Sequence, residues 1–379
     1  MTTICMTPLT LGYPEGGGHL WVYLNWALSL RGLGCRLIWL EDIGELAATR
    51  PRAEVERDIA TLEARLEAYG LHGALALTSF TGRDLDPRLA GSRPDLEAVA
   101  GEADLMLDFA YDTPAWALGM FPRSALVDLD PGLLQLWMSQ GKLQVSEHDV
   151  YFTIGETVGT SAARFPDGGV RWHHTPVPVF LPAWPPGNSA AGSYTTVTNW
   201  WGEWFVLDDE PICNDKRVAF LAYAGVPART GRQLEVALTL DDYTGETDVP
   251  VLERGGWTVR DAWEVCATPD DYRAYIQGSR AEFSCAKPSC RLLANAWISD
   301  RTVCYLASAK PAVVEHTGPS RFLPEREGLL RFRDMDEAVA AIELVESEYE
   351  HQCRLARELA EEHFDGEKVL RRVLEVALA

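Results

Sequence analysis

The chain has 379 residues, 47% of them hydrophobic and 24% charged, the balance of a globular protein with room for two or three domains. Its 56 acidic and 34 basic side chains give a formal net charge of -22, which argues against nucleic acid as a partner, because clustered Lys and Arg are needed to displace its counterions, and disfavours anionic membranes for the same reason. A small anion stays compatible, since a few local cations and a helix N-terminus hold a diphosphate inside an acidic protein.

The opening MTTICMTPLTLG is apolar but has neither a basic leader nor a long apolar run, so it predicts a first strand and no secretion signal. HLWVYLNWALSLRGLG follows as a helix ending on glycine, CRLIWLED as a strand and AEVERDIATLEARLEAYG as an amphipathic helix. GALALTSF, DLMLDFA and SALVDLD predict strands, GLLQLWMSQ a helix and DVYFTIG another strand. Continuous apolar strands separated by helices indicate a parallel sheet covered on both faces. Between His174 and Gly192 the segment TPVPVFLPAWPPGNSAAG has no helical period and many prolines, the texture of a linker. Beyond it RVAFLAYA predicts a strand, TGRQLEVALTL a helix, and, after DVPVLER, DDYRAYIQGS a helix. EFSCA reads as a strand, Asp300 to Ser308 as a helix, PAVVEH as a strand, and three helices run from about Met335 onward.

These elements predict an α/β protein of two Rossmann-like domains, each a parallel sheet with helices on both faces, facing across a cleft. The expected division is 1–180 for an acceptor-binding domain, 181–192 for the linker, 193–350 for a nucleotide-sugar-binding domain, and 351–379 for helices placed to pack back on the first domain. No stretch approaches the ~18 uninterrupted apolar residues of a membrane span. The eight cysteines form no CxxC pair and read as reduced, mostly buried thiols of a cytoplasmic protein; Cys285 and Cys290 lack a second Cys/His pair, so no metal site is expected.

The loop Gly16-Gly17-Gly18 resembles a phosphate cradle, but Trp21 stands where a dinucleotide loop needs its third glycine, and Gly18-His19 stands where a P-loop needs Lys-Ser/Thr. Glu41, at the end of the second strand, sits where a ribose-binding acid would in a dinucleotide site. The glycines then read as room for an acceptor beside the backbone, and His19, at a helix N-terminus, as a base for a hydroxyl. Asp108, or Asp112 in the following loop, is expected to orient that histidine. Otherwise His19 is a solvent-facing residue without a role.

The stretch SRAEFSCAKPSCRLLANAWISDRTVCYLASAKPAVVEHTG, from Ser279 to Gly318, resembles the donor-binding region of GT-B fold glycosyltransferases, particularly bacterial ones. GGGHLWVYLNWALSLRGLGCRLIWLED resembles their first βαβ unit, and the last helices resemble their closing ones; residues 45 to 215 carry no specific likeness. The residues read the same way: Ser299 and Asp300 cap a helix whose N-terminus faces an anion, with Arg301 in the first turn. His316, Thr317 and Gly318 follow the next strand, and Arg280, Lys287 and Arg232 are further candidate cations for a diphosphate. One departure stands out: counting back seven positions from Pro311, where the family places a ribose-gripping glutamate, the residue is Cys304. Ribose recognition then lies elsewhere, the donor is atypical, or activity is lost. TNWWGEW offers Trp200, Trp201 and Trp204 as an acceptor platform or as packing.

The resemblance implies metal-independent transfer of a sugar from a nucleotide-diphosphate sugar (UDP or TDP) to a small-molecule or glycan hydroxyl, with no cofactor beyond that donor. His19 serves as base if the reaction inverts. A nucleotide-sugar epimerase of the same fold and a catalytically silent homologue acting as a binding or activating partner are the alternatives, with an NAD-dependent oxidoreductase disfavoured by Trp21.

Overall fold

The computed structural model describes residues 1–13, 16–187 and 192–379; Asn188 to Ala191, within the expected linker, lie outside them. The first sheet contains β1 (Thr3–Thr7), β2 (Arg36–Asp42), β3 (Leu75–Thr78), β4 (Leu105–Asp108), β5 (Ser124–Asp128), β6 (Val150–Thr153) and β7 (Trp172–His174). They lie in the order β3-β2-β1-β4-β5-β6-β7, and every neighbouring pair is parallel. Helices cover both faces, which is why β1, β3, β4 and β5 are buried at every residue and their sequences do not alternate.

The second sheet begins with β8 (Tyr194–Thr198). A short antiparallel hairpin follows, β9 (Phe205–Leu207) and β10 (Glu210–Ile212), turning at Asp208 and Asp209, both at positive φ. Next come β11 (Leu234–Leu238), β12 (Trp257–Asp261), β13 (Ala281–Ser284), β14 (Ala312–Glu315), β15 (Arg326–Glu327) and β16 (Leu329–Phe332). Their order is β12-β11-β8-β13-β14-β16-β15, parallel except for the edge strand β15.

Three sequence expectations change here. RVAFLAYA lies mostly in a helix, Lys216–Ala222, and TGRQLEVALTL contains β11. The central strand β8 has no apolar run to mark it, because YTTVT carries three threonines. Its β-branched side chains suit a pleated strand. Burial is tolerated at Thr195 because its hydroxyl meets Ser279 Oγ at 2.5 Å and Tyr305 Oη at 2.6 Å.

In each sheet the strand order reverses beside the first strand, at β1/β4 and at β8/β13. A crevice opens at such a point, outside the carboxyl ends of the strands. The Gly17–Gly32 helix, which follows β1, is apolar almost all round because three surfaces enclose it. One is its own sheet. The second lobe contributes the Pro269–Gly278 and Asp300–Ala307 helices, and the Gly366–Ala377 helix supplies the third surface.

Trp21 donates its indole N–H to the Pro269 carbonyl at 2.8 Å, and a Cβ on Gly17 would stand 2.2 Å from the Thr268 carbonyl oxygen. Asn25 joins the lobes to the crossover segment. Its Oδ1 accepts from Phe180 N–H and the Trp184 indole, while Nδ2 faces Cys304 Sγ at 3.7 Å. The chain crosses back near Phe364, whose carbonyl accepts from Val179 N–H while Gly366 N–H donates to the Val179 carbonyl, and Arg123 of the first lobe reaches the Ala377 carbonyl. Among the described residues, no helix is long and apolar enough to cross a membrane.

Candidate functional site

A cleft of about 690 Å³ lies between the lobes, at the carboxyl ends of both sheets. Its first-lobe wall holds Val22, Tyr23, Trp26, Leu129, Ile154 and Val177, with His19 and Asp130 as its charged or titratable side chains beside Tyr13. The second-lobe wall carries Thr198, Asn199, Lys216, Lys287, Ser299 and Asp300.

His19 is held by a backbone carbonyl. Its Nε2 lies 2.8 Å from Leu9 O and therefore donates, which leaves Nδ1 as the lone-pair nitrogen. Tyr13 and Tyr23 meet the ring edge-on, at 5.8 and 5.4 Å between centroids. The loop that presents Leu9 is itself anchored by Glu41, whose buried carboxylate accepts from the Thr10 and Leu11 N–H groups, the Thr10 hydroxyl and the Trp39 indole. Burial raises the Glu41 carboxyl to about 7, against those hydrogen bonds. Glu41 thus supports a loop and is not the ribose acid its position suggested.

The expected carboxylate partners of His19 are placed elsewhere. Asp108 is fully buried, accepting from Thr7 and Thr113 hydroxyls and the Ala110 N–H, and its other oxygen meets His148 Nε2 at 3.0 Å. Asp112 is exposed and does not line the cleft. The backbone can do their job because a carbonyl oxygen fixes a histidine tautomer as well as a carboxylate does.

Gly16, Gly17 and Gly18 do line the cleft, but their contacts give them a different use. A Cβ on Gly17 would collide with the Thr268 and Cys266 carbonyls, and one on Gly18 would reach the Tyr272 ring at 2.6 Å. The two glycines let the lobes close on each other; the space beside Gly17 is already filled by the second lobe.

On the opposite wall, Ser299 Oγ accepts from Arg301 N–H and starts the Asp300–Ala307 helix, whose positive end opens on the cleft. Arg301 turns inward. Its guanidinium donates to Glu282 at 2.7 Å, to Ser284 at 2.6 Å and to the Val197 carbonyl at 2.8 Å, so it ties β8 to β13. Among the described residues, the cations of this wall that make no ion pair are two lysines. Lys216 is buried, makes no ion pair among the described residues, and lies 5.9 Å from the centre of the Trp297 ring. Burial first, then the charges of Arg301 and Lys287, lower its ammonium from 10.5 to about 7. Lys287, half-buried beside it, starts the Pro288–Leu293 helix.

The remaining donor candidates do not gather at this wall. Arg280 and Arg232 both pair with Glu346, at 2.6 and 3.1 Å, behind the sheet. Each precedes a strand, β13 or β11, and so occupies the amino edge, opposite the cleft. Arg232 lies in the connection before β11 and not on a helix. His316, Thr317 and Gly318 follow β14, one strand beyond the reversal point. His316 Nδ1 accepts from the Gly318 N–H, Thr317 donates to the Trp297 carbonyl, and none of the three lines the cleft. Cys304 is buried against Asn25, so a glutamate is missing from a position that does not face the cleft at all. Trp200 is buried with its indole on Asp248; Trp201 and Trp204 are exposed, away from the cleft lining.

Sequence reasoning missed Lys216, because its helix read as a strand, and Asn199, because β8 was not recognised. Among the described residues there is no group of three or more His, Cys, Asp or Glu side chains arranged to hold a metal ion.

Neither a family model nor a curated protein matches the sequence. Solved structures do match in shape. HepE of Anabaena in complex with UDP and glucose aligns at a TM-score of 0.58 and 12% identity, covering 99% of each chain. A glycosyltransferase from Rickettsia africae aligns at 0.56 and 10% identity, covering 99% of this chain and 97% of that one. AviGT4, a glycosyltransferase of avilamycin A biosynthesis, aligns at 0.54 and 12% identity, covering 99% and 96%. This chain has the GT-B fold.

Proposed function

We propose that this protein is a glycosyltransferase that moves a sugar from a nucleotide-diphosphate sugar to an acceptor hydroxyl. The observation that carries the reading is the pairing of opposites across one cleft. Two lysines that make no ion pair among the described residues and an open helix N-terminus face a histidine whose Nδ1 is left to accept a proton. The UDP and glucose bound to the structurally similar HepE lend support at the level of ligand class.

Breaking the anomeric C–O bond leaves negative charge on the diphosphate. In this reading Lys216, Lys287 and the N–H groups at the start of the Asp300–Ala307 helix receive it, supplying the electrostatic stabilisation that a divalent ion supplies in other folds. No metal is required by that scheme. The same charge raises the Lys216 pKa as the diphosphate arrives, so the site takes up a proton on binding above neutral pH. On the facing wall His19 Nδ1 removes the acceptor proton, and its Nε2–H stays on the Leu9 carbonyl throughout. This role goes with inversion at the anomeric carbon.

The test needs no knowledge of the acceptor. The protein is titrated calorimetrically with UDP, TDP and GDP and incubated with a panel of nucleotide sugars scored for slow donor hydrolysis. Binding of one diphosphate and release of its sugar are expected. If none of the diphosphates binds, the proposal is wrong.

A further inference from the structure

We propose that the acceptor is a flat, mostly apolar hydroxyl compound of the phenol class, and that Tyr13 and Trp263 form the edge of its site; the proposal rests on the glycosyltransferase reading. The large aromatic residues of this protein are mostly hidden: Trp21, Trp26, Trp39, Trp184 and Trp200 are all at most 2% exposed. Trp116, Trp201, Trp204 and Tyr243 are exposed away from the cleft lining, whereas Tyr13 and Trp263 are exposed within it. They are 39% and 37% exposed, both line the cleft, and their rings meet at 5.4 Å and 57°, one contributed by each lobe. Two exposed rings joined across the mouth of a cleft form apolar surface that folding alone leaves unused.

The wall behind Tyr13 matches them. Val22, Leu129, Ile154 and Val177 present hydrocarbon. Among the described residues, the polar side-chain groups it offers are His19 Nδ1, the Tyr13 and Tyr23 hydroxyls and the Asp130 carboxylate, one oxygen of which already accepts from the Tyr111 hydroxyl at 3.2 Å. A saccharide end brings several hydroxyls, and each one desolvated without a partner weakens binding. Away from His19 and Asp130 this wall meets such hydroxyls mainly with hydrocarbon and ring edges. A phenol asks for one acceptor, at the reacting oxygen, and its ring fits hydrocarbon and aromatic edges. The reaction is then balanced simply: the phenolic O–H proton goes to His19 Nδ1, the oxygen forms the new C–O bond, and the bond to the diphosphate breaks with its electron pair.

Two measurements on the full chain decide the matter. First, 1-naphthol and cellobiose are titrated into the UDP-saturated protein; naphthol binding is expected, and binding of cellobiose with none of naphthol overturns the proposal. Second, with the donor found in the hydrolysis screen, 1-naphthol and 4-methylumbelliferone are compared with glucose and cellobiose as acceptors, the products being read by mass. Phenol glycosides are expected. Trp263→Ala is expected to raise the phenol KM about ten-fold with kcat little changed, and Trp263→Phe to restore most of it, as the loss of one aromatic contact dictates. Exclusive transfer to the saccharides, or an unchanged phenol KM in Trp263→Ala, overturns the assignment. Diphosphate binding with donor hydrolysis but no phenol transfer overturns this inference alone. Naphthol binding without any diphosphate binding instead removes the transferase reading and leaves an aromatic-ligand cleft.

Discussion

The two walls of the cleft are built on equivalent places of two similar sheets and have opposite chemistry. The second-lobe wall gathers charge from backbone and side chains on short helices: a capped helix start, Lys216 and Lys287. The first-lobe wall is hydrocarbon and aromatic, with a single imidazole held at a defined tautomer. The fold supplies a crevice twice. What each crevice holds is decided by a handful of residues in the loops and helix starts that follow the strands of each sheet.

The largest effect that would break this contrast is expected at His19. Replacing it by Gln should lower kcat by about 10²–10⁴-fold, the usual worth of a positioned base, with UDP affinity little changed, measured by steady-state kinetics beside calorimetry. If turnover survives intact, the first wall has no base. Next comes Lys216→Ala, which removes a charge from the other wall and should weaken diphosphate binding about 10–100-fold, as charge-assisted contacts are worth ~1.5–3 kcal/mol. Lys287→Ala should act in the same direction and less strongly, since that side chain is more exposed.

Glu41→Gln acts one step further from the reaction. It loosens the loop behind Leu9 and should reduce kcat about ten-fold while costing ~1–3 kcal/mol in denaturant unfolding, because buried N–H donors lose an acceptor. The smallest effect is on pH. In the free protein Lys216 is half charged near pH 7, and a bound diphosphate favours the charged form. Above that pH binding must take up a proton, so UDP affinity should fall as pH rises from 7 to 9. In Lys216→Arg that slope should flatten, because a guanidinium keeps its charge there. A wild-type profile as flat as the variant's would show that Lys216 does not touch the ligand.

The sequence was legible where one force dominates. Strands β1 to β6 are short apolar runs between helices, and burial on both faces leaves them no other reading. The helix cap at Ser299 was legible because capping is local chemistry. β8 escaped because three threonines hide a central strand whose side-chain partners, Ser279 and Tyr305, come from far along the chain. Lys216 escaped with its helix. Arg280 was placed by its neighbourhood to a strand and Arg232 by a helix that is β11 instead, but a residue before a parallel strand and one after it are on opposite edges of the sheet. His19 was found as a residue; its orienting partner was not, because a backbone carbonyl leaves no mark in a sequence.

The return of the Gly366–Ala377 helix to the first lobe also sets an order of events during synthesis. Gly366 seats against Ser29, and Val369, Leu370 and Val373 bury themselves on that lobe's side of the core. The cover of the first lobe is therefore complete only with a segment that follows the whole second sheet in sequence. A chain cut before Gly366 should keep a protected second sheet in hydrogen exchange while β1 and the Gly17–Gly32 helix exchange early.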